Sequence, residues 1–288
     1  MAETRRAAVY LDKGGTGKTT NAAHLAAALE QQGKNVLLID LAGKQSDIAK
    51  QFGLDERVQE DIDNEDDFPN VATTMGNRWD DVAGMVGEQE AVERLVYETA
   101  TGVDVIPAHD DLDGLDADLG NIDDVDERYT RFRSFLDEYV DPMDRWDVVL
   151  MDMPGLANNI TYNGLWAAEN VVTPVLMGSF EFSQAQRLQE DLAKIRENYG
   201  TEVSLRMLIA NQYDRRTNLH SEKLDEFREE FAELLAPAYV VDSQQIRTAT
   251  EAGRTLFDVP DDELSKTATD ARDAFAENAS ELYNRLNQ

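Results

Sequence analysis

The chain alternates short uninterrupted apolar runs with longer stretches of helical spacing. Ala8-Val9-Tyr10-Leu11 is the first such run, and residues 35–41, 103–107, 146–152, 171–177, 203–210 and 239–241 read the same way. Continuous runs of this length suit strands buried on both faces, as in parallel sheets. Helical patterning is predicted over 19–32, 48–52, 129–139, 183–198, 219–235 and 263–286. It is also predicted over 80–99, where Val82, Met85, Val92, Leu95 and Val96 share a face. The polar, acidic segment 54–77 reads as a long loop. Strands alternating with helices throughout predict an α/β fold, a doubly wound, mostly parallel sheet flanked by helices, with ligand sites at the carboxyl ends of the strands. No linker or repeat interrupts the pattern, so residues 1–288 are expected to form one domain.

Composition narrows the classes. A hydrophobic content of 42% supports a sizeable core. No apolar run approaches the roughly 18 residues of a membrane span, and the start, MAETRRAAVY, has no apolar signal region, so a cytoplasmic location is expected. The absence of cysteine rules out disulfides, thiolate-bound zinc and iron–sulfur clusters. Acidic residues number 58 against 27 basic, for a net charge of −31, with aspartates crowding 61–67 and 110–113. This reads as a surface built for a salt-saturated, halophilic cytoplasm, the competing reading being an acidic interaction surface; neither bears on the fold. His24, His109 and His220 make no ligand set, and Trp79, Trp146 and Trp166 are scattered as core or surface anchors.

The chemistry gathers where the first strand meets the first helix, at Lys13-Gly14-Gly15-Thr16-Gly17-Lys18-Thr19-Thr20. Glycines let successive N–H groups converge on phosphate oxygens, and the helix start adds its positive end. Lys18 is expected at the β/γ-phosphates and the Thr19 hydroxyl at Mg²⁺. Position 12 is Asp12, so the strict GxxxxGK[ST] pattern fails, and an additional lysine, Lys13, stands at the front of the loop. Asp152 closes an apolar strand and is placed to hold a Mg²⁺ water shell opposite the loop; Asp40 ends the neighbouring strand and reaches the same shell.

This loop resembles the deviant Walker A box of the ParA/MinD family of P-loop ATPases, usually KGGVGKTT, with Thr16 in place of valine. The resemblance extends to Asn211, where the family places an adenine-reading asparagine, to the Tyr213-Asp214-Arg215-Arg216-Thr217-Asn218-Leu219 segment, and to Glu251-Ala252-Gly253-Arg254-Thr255-Leu256-Phe257. Met153-Pro154-Gly155 matches the family's D[ST]PP only in part. The resemblance implies ATP and Mg²⁺ as cofactors and a homodimer in which Lys13 crosses to the partner's nucleotide. It further implies an adaptor protein and weak, non-specific DNA binding, for which Arg215, Arg216, Arg247 and Arg254 are the candidates. The function implied is a dimeric switch for partitioning or cargo positioning, on the nucleoid in some relatives.

One departure cuts across this. The family's DxDPQ reads here as Asp40-Leu41-Ala42-Gly43-Lys44, so the water-positioning aspartate is Ala42 and hydrolysis is expected to be slow. Asp47 is a compensating candidate, and Lys44 a residue that would steady the γ-phosphate. The competing readings are an ATP-locked binding scaffold, a MinD-like positioning ATPase and a dethiobiotin synthetase-like ligase. Membrane helices of the MinD kind are basic and amphipathic. The acidic C-terminal stretch is expected instead to dock Ala271, Ala274, Phe275, Leu282 and Leu286 on the domain.

Overall fold

The apolar runs pair edge to edge. A computed structural model describes residues 4–43, 47–64 and 68–288. Within these, seven strands form one sheet: β1 (Arg5–Val9), β2 (Val36–Asp40), β3 (Tyr97–Glu98), β4 (Asp104–Ile106), β5 (Val148–Asp152), β6 (Asn170–Leu176) and β7 (Ser204–Asn211). Their order is β3-β4-β2-β5-β1-β6-β7, parallel throughout except for the antiparallel β3–β4 pair. The expected doubly wound α/β sheet is what forms.

Alternate side chains leave the sheet on opposite sides, and both sides are covered. Leu38, Val148 and Leu150 join the buried face of α1 (Lys18–Gln31) and of α12 (Lys266–Arg285). Leu37, Ile39, Val149 and Met151 join Phe132 of α7 (Val125–Phe135), Leu165 of α8 (Asn159–Ala168) and Leu188 of α9 (Ser179–Tyr199). The three strand leucines among them, Leu37, Leu38 and Leu150, contribute roughly 1.5–3 kcal/mol apiece in such a setting. The apolar positions Ala271, Ala274, Phe275 and Leu282 of α12 are buried on this core, and Trp79, Trp146 and Trp166 are core residues.

The expectations failed in identifiable places. Segment 54–77 is not a plain loop: it contains α3 (Asp55–Asp63) and a 3₁₀ turn, Val71–Met75, with residues 65–67 outside the described set. α3 buries only Val58, so its apolar spacing is nearly invisible. The helix expected over 80–99 is split at Gly87 (φ 98°), a conformation glycine alone adopts cheaply, into α4 (Trp79–Val86) and α5 (Glu88–Glu93), and its end becomes β3. The aspartates of 110–113 open a helix, α6 (Asp111–Gly120), whose Leu112, Leu115 and Leu119 face the core. α8 and α11 (Gln244–Glu251) were also not anticipated. The helix expected over 219–235 is α10 (Asn218–Glu230). Residues 239–241 lie along β7 but form a single bridge, Tyr213 to Val241, instead of a strand. Pro237 just before them has no N–H to give to a ladder.

Register sets the site. Asp40 pairs with Asp152 and Val9 with Asp152, so three central strands end level at the carboxyl edge. The glycine loop leaves from that edge, and α2 (Asp47–Gln51) begins beside it.

Candidate nucleotide-binding site

Between β1 and α1 the chain turns through Gly15 (φ 77°) and Gly17 (φ 88°), both left-handed. Gly17 caps α1 and sits under the side chain of Asn211, where a Cβ would fall 2.5 Å from Nδ2. Asn211 donates that amide to the Thr16 carbonyl at 2.8 Å. The end of β7 thus braces the loop from behind.

Lys18 opens the helix almost buried, at 9% exposure, and donates Nζ to the Lys13 carbonyl at 2.7 Å. Burial lowers its pKa, against the opposing pull of Asp152 and Asp12. A Cβ on Gly155 would lie 3.0 Å from Nζ and 3.1 Å from the Lys13 carbonyl oxygen, so the loop after β5 packs closely on the lysine and its acceptor. Gly14, Gly15, Gly17, Lys18, Thr19 and Thr20 form one wall of a cleft of ≈ 600 Å³. Ala42, Gly43, Asp47, Met153, Pro154 and Gly155 form much of the other. That volume suits a small-molecule ligand of nucleotide size.

Beneath the cleft lie two fully buried carboxylates. Thr19 donates Oγ1 to Asp152 Oδ2 at 2.6 Å, while Asp152 Oδ1 is buried with no hydrogen-bond partner among the described residues. Asp40 is used differently: Oδ1 accepts from the Ala42 N–H at 2.9 Å and Oδ2 from the Ile48 N–H at 3.4 Å. It therefore ties down both ends of the segment that follows β2. Burial pushes the Asp40 carboxyl up to about 7, the two N–H groups pulling the other way. Burial, and then the charge of Asp40, raise Asp152 well above the ordinary carboxylate value. A buried carboxylate oxygen without a donor, beside a threonine hydroxyl at a phosphate loop, is the donor set a hard cation such as Mg²⁺ takes together with phosphate oxygens. The residues present fit that ion.

The other anticipated residues divide. Lys13 leads the loop, but its ammonium sits on Glu181 Oε1 at 2.8 Å. Arg215 is paired with Asp270, Arg216 with Asp214 at 2.9 Å, and Arg247 with Asp242 at 3.1 Å. Arg254 is exposed, one turn beyond α11. Asp47 lines the cleft, and Lys44 lies outside the described residues. His24 proves to be a packing residue: Nδ1 meets the Thr20 carbonyl at 2.8 Å, Nε2 accepts from the Leu256 N–H at 3.2 Å, and the ring stacks on Phe275. Glu181 escaped the sequence reading, because an acidic residue in a first helical turn is a common cap signal with no functional mark.

The family model for the AAA domain matches residues 4–207. The chain is 28% identical over 250 residues to the chromosome partitioning protein ParA of Caulobacter vibrioides, covering 87% of this chain and 85% of that protein. It is 28% identical over 255 residues to the chromosome-partitioning ATPase Soj of Thermus thermophilus, covering 88% of each. Among solved structures, cobyrinic acid a,c-diamide synthase of Mycobacterium smegmatis, with bound ATP analog and magnesium, superimposes with a TM-score of 0.64. That match is 25% identical and covers 86% of this chain and 92% of the other. Phosphate loop, carboxylate pair and family match agree, and the chain belongs to the ParA/MinD family of P-loop ATPases within the AAA domain group.

Proposed function

We propose that this chain is a nucleotide-gated dimeric switch of the partitioning type, in which ATP–Mg²⁺ joins two subunits and hydrolysis is slow. The observation that carries the nucleotide half is the Thr19–Asp152 pair, with its unpartnered Oδ1, directly behind a glycine loop that buries Lys18. Lys18 and the loop N–H groups would grip the phosphates, and Thr19, Asp152 and Asp40 would hold Mg²⁺, which supplies charge neutralisation at the β- and γ-phosphates. The partitioning half is supported by the ParA and Soj relatives.

Slow turnover rests on Ala42. The cleft wall facing the loop offers a methyl group at that position, and a methyl cannot hold the attacking water. Loss of such an orienting contact costs about 10²–10⁴-fold in rate. Phosphate release is therefore expected to be slower than about one turnover in several minutes, and Ala42→Asp to accelerate it at least about tenfold. Phosphate release measured for wild type, Ala42→Asp and Asp47→Ala decides the matter. Brisk wild-type turnover that disappears in Asp47→Ala would move the water site to Asp47. A ligase on the same fold is the second reading, favoured by the likeness to the Mycobacterium smegmatis synthase; it requires turnover to depend on an added small carboxylate or amine.

A further inference from the structure

Lys13 is anchored by its backbone in the loop and by its ammonium on α9. Its N–H donates to the Leu11 carbonyl at 2.7 Å, and its own carbonyl accepts from Lys18 Nζ at 2.7 Å. The side chain leaves the loop and meets the first turn of α9, where Glu181 Oε1 takes the ammonium at 2.8 Å and the Phe180 ring lies 5.4 Å away. Glu181 folds back over the helix start, and a Cβ on Gly178 would stand 2.2 Å from its Oε2. Burial raises the Glu181 carboxyl, but the Lys13 ammonium and a backbone N–H outweigh it and leave the group below its ordinary value. The pair begins one residue before Gly14 of the cleft wall, with side chains 30% and 15% exposed. An ion pair so placed is modest in strength and exchangeable.

We propose that Glu181 is a positioning residue for Lys13: it stores the ammonium on its own subunit, so that the triphosphate of a facing subunit must displace a carboxylate to recruit it. The proposal rests on the dimeric reading above. The two states are Lys13 on Glu181 and Lys13 on phosphate. A triphosphate carries several negative charges against the carboxylate's one, so nucleotide decides the outcome, while Glu181 sets the nucleotide concentration at which it does so. The hold keeps nucleotide-free subunits apart.

The test is Glu181→Gln, which keeps shape and removes charge, compared with wild type, Lys13→Ala and the double variant. Light scattering against a non-hydrolysable ATP analogue gives the dimerisation midpoint. Acetic anhydride labelling read residue by residue by mass spectrometry gives the reactivity of Lys13 in nucleotide-free protein. The expected result for Glu181→Gln is higher Lys13 reactivity and a midpoint lowered roughly threefold per lysine, or about tenfold for a dimer that uses two. ATP affinity of the monomer should not change, and the effect should vanish in the Lys13→Ala background. Unchanged labelling overturns the hold itself. Increased labelling with an unchanged or raised midpoint overturns the positioning role, a raised midpoint making Glu181 a contact within the dimer. If wild type and variant both stay monomeric at saturating analogue, the dimeric reading falls, and the labelling still decides whether Glu181 holds Lys13.

Discussion

Asp152 shows how one residue type does two jobs according to its surroundings. One oxygen is satisfied by Thr19 and the other is left without a donor in a fully buried position. A buried oxygen without a donor costs stability, and a cation held there would relieve it. The pH dependence follows in sign. Burial pushes the Asp40 carboxyl up from 3.8 to about 7, and Asp152 is raised in the same direction. A raised carboxyl holds its proton in the folded chain where the unfolded chain has shed it. The resulting stabilisation is complete below about pH 4 and is lost as pH rises through about 7. Thermal unfolding of the nucleotide-free protein should therefore show a midpoint that falls between pH 5 and pH 8 at constant salt. Asp152→Asn should raise the midpoint at pH 8 and flatten that fall, by about 2–4 °C per kcal/mol relieved, while weakening Mg²⁺-dependent ATP binding. A variant less stable than wild type at pH 8 would mean the carboxylates do not oppose each other.

Among the elements, α2 links the cleft to α11. Its start is fixed by the Ile48 N–H on Asp40. Its end is fixed on α11: Gln51, 1% exposed, donates to the Arg254 carbonyl at 2.7 Å and accepts from Thr250 Oγ1 at 2.9 Å. There the two backbones touch, since a Cβ on Gly253 would fall 2.6 Å from the Gly53 Cα. Gly253 is also left-handed, at φ 65°. Gly253→Ala thus meets both strain and a backbone clash, and should cost about 1–3 kcal/mol in denaturant unfolding. It should also separate α2 from α11, read as faster amide hydrogen exchange over 47–51. Gly200→Ala, left-handed but with open space around the Cβ position, is the control and should leave exchange over 47–51 unchanged.

For the molecule as a whole, charge is the governing quantity. A net charge of −31 opposes any polyanion, and three of the four arginines anticipated for DNA are already neutralised by Asp270, Asp214 and Asp242. DNA binding is therefore expected to be weak, confined to the ATP dimer, and limited by these internal pairs. Asp270→Asn and Asp242→Asn should strengthen it, and in the Asp242→Asn background, where Arg247 is released, Arg247→Ala should reduce the slope of log affinity against log salt by about 0.9. Fluorescence anisotropy with a duplex of arbitrary sequence, run across a salt series, measures both. Tight binding by the nucleotide-free protein would show that a different surface carries the contact. Among the described residues no helix is long and apolar enough to cross a membrane.

The sequence alone determined the six parallel strands of the sheet and the phosphate loop, because both are written in contiguous residues. A strand buried on two faces must be an unbroken apolar run, as in Val148-Val149-Leu150-Met151. A loop that wraps phosphate must place its glycines and lysines within a few positions of one another. The strongly polar α3, the break at Gly87 and the helix hidden in the aspartates after Asp110 were not legible. There burial of only a few side chains, or a single backbone angle, decides the structure against a polar composition. Pairings across the chain were invisible for a different reason. Asn211 bracing Thr16, Glu181 holding Lys13 and Asp270 covering Arg215 each join elements brought together by strand order and register. Electrostatic partners are chosen by distance in space, and only the tertiary structure supplies that distance.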